Sequence, residues 1–341
     1  MEASAMTIRD RPVFIVSAPR SGSTLLRLIL DVHPRLAVPP PDWLFDLVYP
    51  YLYSYGDLRQ PANLLALAED MLATPTVGKW PIKPEPARLV AAAPEPTFAG
   101  LYAALHREYA KTEGKPRWGE KTPRNSFWMD EIRTLFPDAQ FIHIVRDGRD
   151  QAIDISDSML WPYSVYSGAY LWQRYVLSVR DFARELPADA YLEIRYEDLC
   201  AAPEPTVRKL CEFIGEPFEQ RMLSPHDTPS ARAWSTHPLH AKTARPISTQ
   251  YCGMYKTRLP ASDVAALEAL IGPTLQRFGY TPAGATRPLA ARLANRMLES
   301  DTVTNPENVA YRRWHEERRK QRRAQGVWAD GERASLLWGM N

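Results

Sequence analysis

A doubly wound α/β fold, P-loop-like, with a parallel sheet flanked by helices, is the class this 341-residue sequence predicts. Three observations carry it. Pro12 to Asp31, PVFIVSAPRSGSTLLRLILD, reads as a buried strand, a tight polar loop and an opening helix. Gln140 to Val145, QFIHIV, is a second buried strand that runs straight into RDGRD and an apparent helix from about Asp150. YLEIR at 191–195 alternates like a strand and is again followed by helical spacing. Strands alternating with helices imply a parallel sheet covered on both faces.

The elements come in order. Val13, Phe14, Ile15 and Val16 form a β-rich apolar run, and Leu25, Leu28, Ile29 and Val32 then recur at helical spacing. His33 to Tyr55, HPRLAVPPPDWLFDLVYPYLYSY, is too apolar for a solvated linker and is expected to fold over something. Residues 61–111 read as mostly helical, with proline breaks near 75–96. RWGEK at 117–121 is a candidate short strand. Ser126 to Phe136 puts Trp128, Ile132, Leu135 and Phe136 on one helical face, and Pro137 stops it. Pro203 to Ile214 groups Val207, Leu210, Cys211 and Ile214, with Gly215 suited to the cap beyond the helix end. Ala261 to Phe278 is helical and closed by Gly279.

The expected domain organisation is an α/β domain over 1–283 and a helical, basic C-terminal extension over 284–341. RPLAARLANRML is amphipathic through Leu289, Leu293 and Met297, and Asn305-Pro306-Glu307 makes a helix start. Arg312 to Arg323 holds seven cations and two glutamates. That run reads as a patch for nucleic acid or an acidic membrane, or as a solvated helix laced by Arg312–Glu316, Arg313–Glu317 and Glu316–Lys320 pairs. The solvated reading is preferred. Trp328, Leu336, Leu337 and Trp338 are expected to dock the extension on the body or on a partner subunit, which allows a homodimer.

Composition excludes several classes. A formal charge of +2 gives no global drive toward nucleic acid. Cys200, Cys211 and Cys252 show neither CxxC nor metal spacing, which fits reduced thiols in a cytoplasmic protein and no metal. The polar start MEASAMTIRD lacks an apolar stretch of signal-peptide length, and no run approaches the roughly 20 apolar residues of a membrane-spanning helix. The 31 prolines suggest long loops rather than disorder, since 45% of residues are hydrophobic.

The chemistry lies in the loops. A strand–loop–helix unit aims free backbone N–H groups and the positive end of the helix dipole at one point, a ready anion site. A nucleotide triphosphatase would carry GxxxxGK followed by Ser or Thr, its lysine on the β- and γ-phosphates. In the matching window Ser17 replaces the first glycine and Ser23 the lysine, and the cation is Arg20. Ser21, Gly22, Ser23 and Thr24 can hold a phosphate, but one belonging to a ligand other than ATP or GTP. RDGRD supplies Arg146 and Arg149, each able to grip a phosphate bidentately. Both loops fall at the C-terminal ends of strands, where doubly wound sheets bind ligands. A ligand with two separated phosphate groups would explain both.

APRSGSTLLRLILDVHP resembles the 5′-phosphosulfate loop of the sulfotransferases that use 3′-phosphoadenosine 5′-phosphosulfate (PAPS), and FIHIVRDGRD resembles their 3′-phosphate segment. RWGEKTPRN lies between them and YLEIRYEDLCAAPEPTVRKLCEFIG after them, in the family's order; ARPISTQYCGMYKTRL fits its later loop less distinctively. Arg-Ser-Gly in place of Lys-Ser-Gly is similar to the bacterial, carbohydrate and tyrosylprotein branch. The resemblance implies in-line transfer of a sulfuryl group from PAPS, as co-substrate, to an acceptor hydroxyl or amine. It implies that Arg20 and the amides of Ser21 to Thr24 hold the 5′-phosphosulfate, that Arg146 holds the 3′-phosphate, and that Tyr196 lies near the adenine; a core tyrosine capping its strand is the other reading of that residue. Lys121 aligns with a lysine placed against the sulfuryl group, so Arg20 and Lys121 would neutralise charge on the bridging oxygen.

Two departures stand out. The family's 3′-phosphate serine falls at Asp154, so Ser156, Ser158 or Arg149 is expected to take over that contact. The histidine used as base by cytosolic members falls at Pro123. The nearest carboxylate to the branch's glutamate is Asp42, the expected catalytic base, with a helix cap as its other reading and Glu120 and His33 as lesser candidates. Trp43, Tyr49, Tyr51, Tyr53 and Tyr55, and Trp161, Tyr163, Tyr166, Tyr170 and Trp172, are either acceptor-stacking or core. The acceptor is a small molecule, sugar, lipid or peptide. The competing readings are a P-loop-type kinase or nucleotide hydrolase and a non-catalytic nucleotide- or nucleic-acid-binding protein.

Overall fold

The computed structural model describes residues 11–158, 164–236 and 238–283, together with Glu317. Trp161, Tyr163 and the expected extension from 284, with its basic run and the dimer it suggested, lie outside the described residues apart from Glu317.

The chain runs β1 (Val13–Val16), α1 (Ser23–Asp31), β2 (Leu36–Ala37), α2 (Leu44–Leu47), α3 (Pro61–Ala73), α4 (Pro86–Ala92), α5 (Phe98–Thr112), β3 (Arg117–Lys121), α6 (Met129–Leu135) and β4 (Gln140–Val145). It continues with α7 (Gly148–Ser156), α8 (Val165–Ala183), β5 (Tyr191–Arg195), α9 (Tyr196–Ala201), α10 (Pro203–Ile214), α11 (Pro229–Ser235), α12 (Tyr255–Arg258) and α13 (Ala261–Arg277). The strands form one parallel sheet in the order β2-β3-β1-β4-β5. From β1 the chain moves outward to β2, returns through β3, and crosses to β4 and β5. That reversal opens a crevice at the C-terminal ends of the central strands, as doubly wound sheets do.

The alternation of side chains along a strand divides the core. Phe14 and Val16 face a cluster with Tyr102, Trp118, Phe141 and Val179. Val13 and Ile15 face the opposite cluster, with Leu26, Ile29, Ile144, Ile194, Leu210 and Ile214. A third cluster joins α7, α8 and α13 through Ala152, Trp172, Ile271 and Leu275. The proline-rich segment after α1 folds over the sheet as expected: Leu44, Phe45, Leu47, Val48 and Tyr55 belong to the first cluster.

At the end of the sheet away from the crevice, Arg117 is buried and donates to the carbonyls of Arg11 and Ile214 and to Gln140 Oε1. The helix expected from Ser126 begins only at Met129, after a 3₁₀ turn over Pro123–Phe127. Two side chains of that turn are spent elsewhere: Asn125 Nδ2 donates to Glu120 Oε2, and Ser126 Oγ accepts from the Ser17 N–H.

Candidate active site

The loop after β1 is built by two left-handed residues, Arg20 at φ 66° and Gly22 at φ 90°. Gln151 Nε2 pins it by donating to the Pro19 carbonyl at 2.6 Å. Helix α1 then starts at Ser23, directing its N-terminal amides at the crevice. Lys121 ends β3, Arg146 follows β4 and Tyr196 follows β5, so neighbouring strand ends present these side chains to one place.

That place is a cavity of about 1390 Å³. Arg20, Gly22, Ser23, Thr24, Lys121, Arg146 and Tyr196 all line it. Ser21 does not; it is fully buried beneath the loop. Lys121 Nζ stands 3.5 Å from Thr24 Oγ1. Burial, and then the Arg27 charge, lower the Lys121 ammonium to about 7. Burial likewise lowers Arg20.

Arg146 is fixed by its surroundings. It donates to the carbonyls of Arg20 at 3.0 Å and Tyr251 at 2.8 Å and to the Asp154 carboxylate, and it lies 4.9 Å from the Tyr196 ring centroid. Lys242 donates to the other oxygen of Asp154 at 2.7 Å and stacks on Tyr251. Burial alone would raise the Asp154 carboxyl, but Arg146 and Lys242 outweigh it and hold it below its ordinary value.

Four of the expected residues lie outside the cavity lining. Arg149 faces away from the cavity: it pairs with Asp147 at 2.7 Å and Glu268 at 2.5 Å and stacks on Tyr255. Three residues beyond Arg146 and inside the first turn of α7, it turns toward α13. Ser156 is exposed at the end of α7, and Ser158 donates to the Ile155 carbonyl; neither lines the cavity. Asp42 is fully buried and outside the cavity lining. Its Oδ1 accepts from the Leu44 N–H at 2.7 Å and its Oδ2 from Tyr102 O–H at 2.6 Å, with His106 Nε2 at 3.3 Å. These bonds make it the anchor of α2 on α5 rather than a base facing the cavity.

The lesser candidates are also engaged elsewhere. Glu120 is pushed well above the carboxylate range by burial and by Asp42, and His33 pairs with the Pro217 carbonyl at 3.0 Å. Of the expected aromatic positions, Trp43 lines the cavity. Tyr55 is tied to Asp70, Tyr166 to Asp263, and Trp172 packs in the core. The residues missed were Lys242, Arg245, Ser248 and Tyr251, which also line the cavity. They belong to short turns between α11 and α12 with no periodicity to read; ARPISTQY was the one signal for Arg245, Ser248 and Tyr251, and Lys242 lies just before it.

Residues 12–220 match the profile of the Sulfotransferase family. The chain is 24% identical over 287 residues to a protein-tyrosine sulfotransferase of Drosophila melanogaster, covering 80% of this chain but 52%, about half, of that protein's length. It is 24% identical over 317 residues to protein-tyrosine sulfotransferase 1 of Danio rerio, covering 87% of this chain and 82% of the relative. Among solved structures, the sulfotransferase domain from the curacin biosynthetic pathway superposes with a TM-score of 0.55 at 19% identity, covering 80% of this chain and 98% of that one. That last likeness is one of fold.

Proposed function

The chain belongs to the sulfotransferase family, and on that premise we propose that it moves a sulfuryl group from PAPS to an acceptor hydroxyl or amine, releasing 3′,5′-ADP. The observation that carries this reading is the convergence of Arg20, Gly22, Ser23, Thr24, Lys121, Arg146 and Tyr196 on one cavity. The fit to an adenosine phosphosulfate rests on the loop. Gly22 turns the loop through φ 90°, α1 opens directly behind it, and Arg146 Nε is buried without a hydrogen-bond partner among the described residues. The unit that acts is residues 1–283.

In such a transfer an acceptor oxygen or nitrogen forms a bond to sulfur as the bond from sulfur to the bridging phosphate oxygen breaks. Negative charge develops on that leaving oxygen. Arg20 and Lys121 supply positive charge to it from preset positions on neighbouring strand ends. The acceptor proton leaves to solvent or to a cavity group other than Asp42. A kinase or nucleotide hydrolase is disfavoured because Ser23 stands where the γ-phosphate lysine would be.

The relatives named protein-tyrosine sulfotransferases make a peptide tyrosine hydroxyl the first acceptor to try, with sugars, lipids and small phenols behind it. The cytoplasmic setting expected from the cysteine pattern stays part of this proposal. The deciding experiment is thermal stabilisation by millimolar 3′,5′-ADP beside ATP and GTP. A shift with 3′,5′-ADP that exceeds both supports the reading; none with 3′,5′-ADP overturns it. Labelled PAPS offered with each acceptor class then identifies the acceptor.

A further inference from the structure

At the Arg146 end of the cavity the cations already hold an anion, and it belongs to the protein. Arg146 and Asp154 are 3% and 7% exposed, and both line the cavity. One oxygen of Asp154 is taken by Arg146 and the other by Lys242. The carboxyl is held ionised by those two cations. Neither serine near the end of α7 stands in for it, because Ser156 is exposed and Ser158 is bound to the Ile155 carbonyl.

A dianionic phosphate brought to Arg146 meets this carboxylate. It must either displace it, breaking two ion pairs, or sit beside a like charge in a poorly solvated wall. Both costs cancel much of what the Arg146–phosphate contact would contribute. The loop around Gly22 presents backbone amides, Arg20 and Lys121 to the ligand, and the Asp154 charge reaches Arg20 without being bracketed there by two cations as it is at Arg146 and Lys242.

We propose that Asp154 is the donor-specificity residue of this enzyme: its carboxylate occupies the Arg146–Lys242 cradle, so the nucleotide is read through its 5′ end and its 3′-phosphate adds little affinity. This rests on the sulfotransferase reading above. The adenosine 5′-phosphate portion is then the sufficient ligand.

The test compares dissociation constants for 5′-AMP and 3′,5′-ADP by calorimetry on the wild type, Asp154→Ser and Asp154→Asn. The wild-type protein is expected to bind the two nucleotides within about threefold of each other. Removing the carboxylate should tighten 3′,5′-ADP by at least about tenfold while 5′-AMP moves by less than about threefold. Asp154→Asn keeps the side-chain shape, so it serves if the serine variant does not fold. A wild-type preference for 3′,5′-ADP above about tenfold, or a ratio unchanged in a folded variant, overturns the proposal. Binding of neither nucleotide beside Mg²⁺-dependent binding of ATP overturns the sulfotransferase reading, and the proposal with it.

Discussion

Gly22 and Tyr196 share one space: a β-carbon built on Gly22 would lie 2.3 Å from Cδ2 of the Tyr196 ring. Gly22 also holds φ 90°, a conformation that side chains rarely adopt. Gly22→Ala should therefore lose about 1–3 kcal/mol of stability and the thermal shift with 3′,5′-ADP. Adding Tyr196→Ala removes the clash but not the backbone strain, so the double variant should recover part of that stability. Chemical denaturation of the four proteins in the cycle measures it, and strictly additive losses would refute the link.

Lys121 predicts proton uptake. With its ammonium lowered to about 7 by burial and Arg27, the side chain is largely neutral in the free protein at mildly alkaline pH. An anionic nucleotide favours the charged form, so binding at pH about 8 should take up a proton, and uptake should vanish well below the folded value. Affinity should fall as pH rises through about 7. Calorimetry in buffers of different ionisation heat reads the uptake directly; Lys121→Met should abolish it. The unfolded chain holds this proton to higher pH, so this group's contribution to stability rises from pH about 7 toward the ordinary lysine range.

Arg149→Ala should act on stability and not on the ligand. It takes the cation from Asp147 and Glu268, which are 9% and 5% exposed as side chains and keep backbone N–H bonds from residues 149 and 283, at a cost of about 3 kcal/mol. The dissociation constant for 3′,5′-ADP, measured where the variant is folded, should stay within about threefold. Weakened binding at unchanged melting temperature would return Arg149 to the cavity.

Asp42→Asn separates an anchor from a base. The amide presents N–H to the Tyr102 hydroxyl that Asp42 now accepts from, which should cost about 1–3 kcal/mol. Turnover per folded molecule should survive. Turnover lost at full stability would make Asp42 catalytic after all.

What was readable in the sequence was what is local. The loop of Arg20 and Gly22 announces itself because strand, small residues and helix are contiguous, and the same holds for Gln140–Val145 leading into Arg146. The sheet order is carried by contacts between distant segments, so it leaves no local trace. Arg149 was misplaced because two arginines three positions apart, on either side of a helix start, need not face the same way. Lys242 was missed because 3₁₀ turns over Pro238–Ala244 have no apolar stripe, and its value comes only from meeting Asp154, 88 positions away. Asp42 reads as a base in the sequence because the partners that engage its carboxylate, Tyr102 and His106, come from another helix.

The family-matched stretch ends at residue 220, yet the RDGRD turn is completed by residues well beyond that point. Asp150 accepts from the backbone N–H groups of Gly253 and Tyr255, and Arg149 finds Glu268 on α13. A chain emerging from the ribosome therefore carries the nucleotide motifs long before it carries the partners that hold them in shape. Until α12 and α13 are out, Asp150 lacks the N–H groups it accepts from and Arg149 lacks Glu268, so the turn behind the site is finished late in synthesis. A fragment cut at residue 220 would keep the strand-end motifs and lose the wall of the cavity that runs from Arg221 to Tyr251.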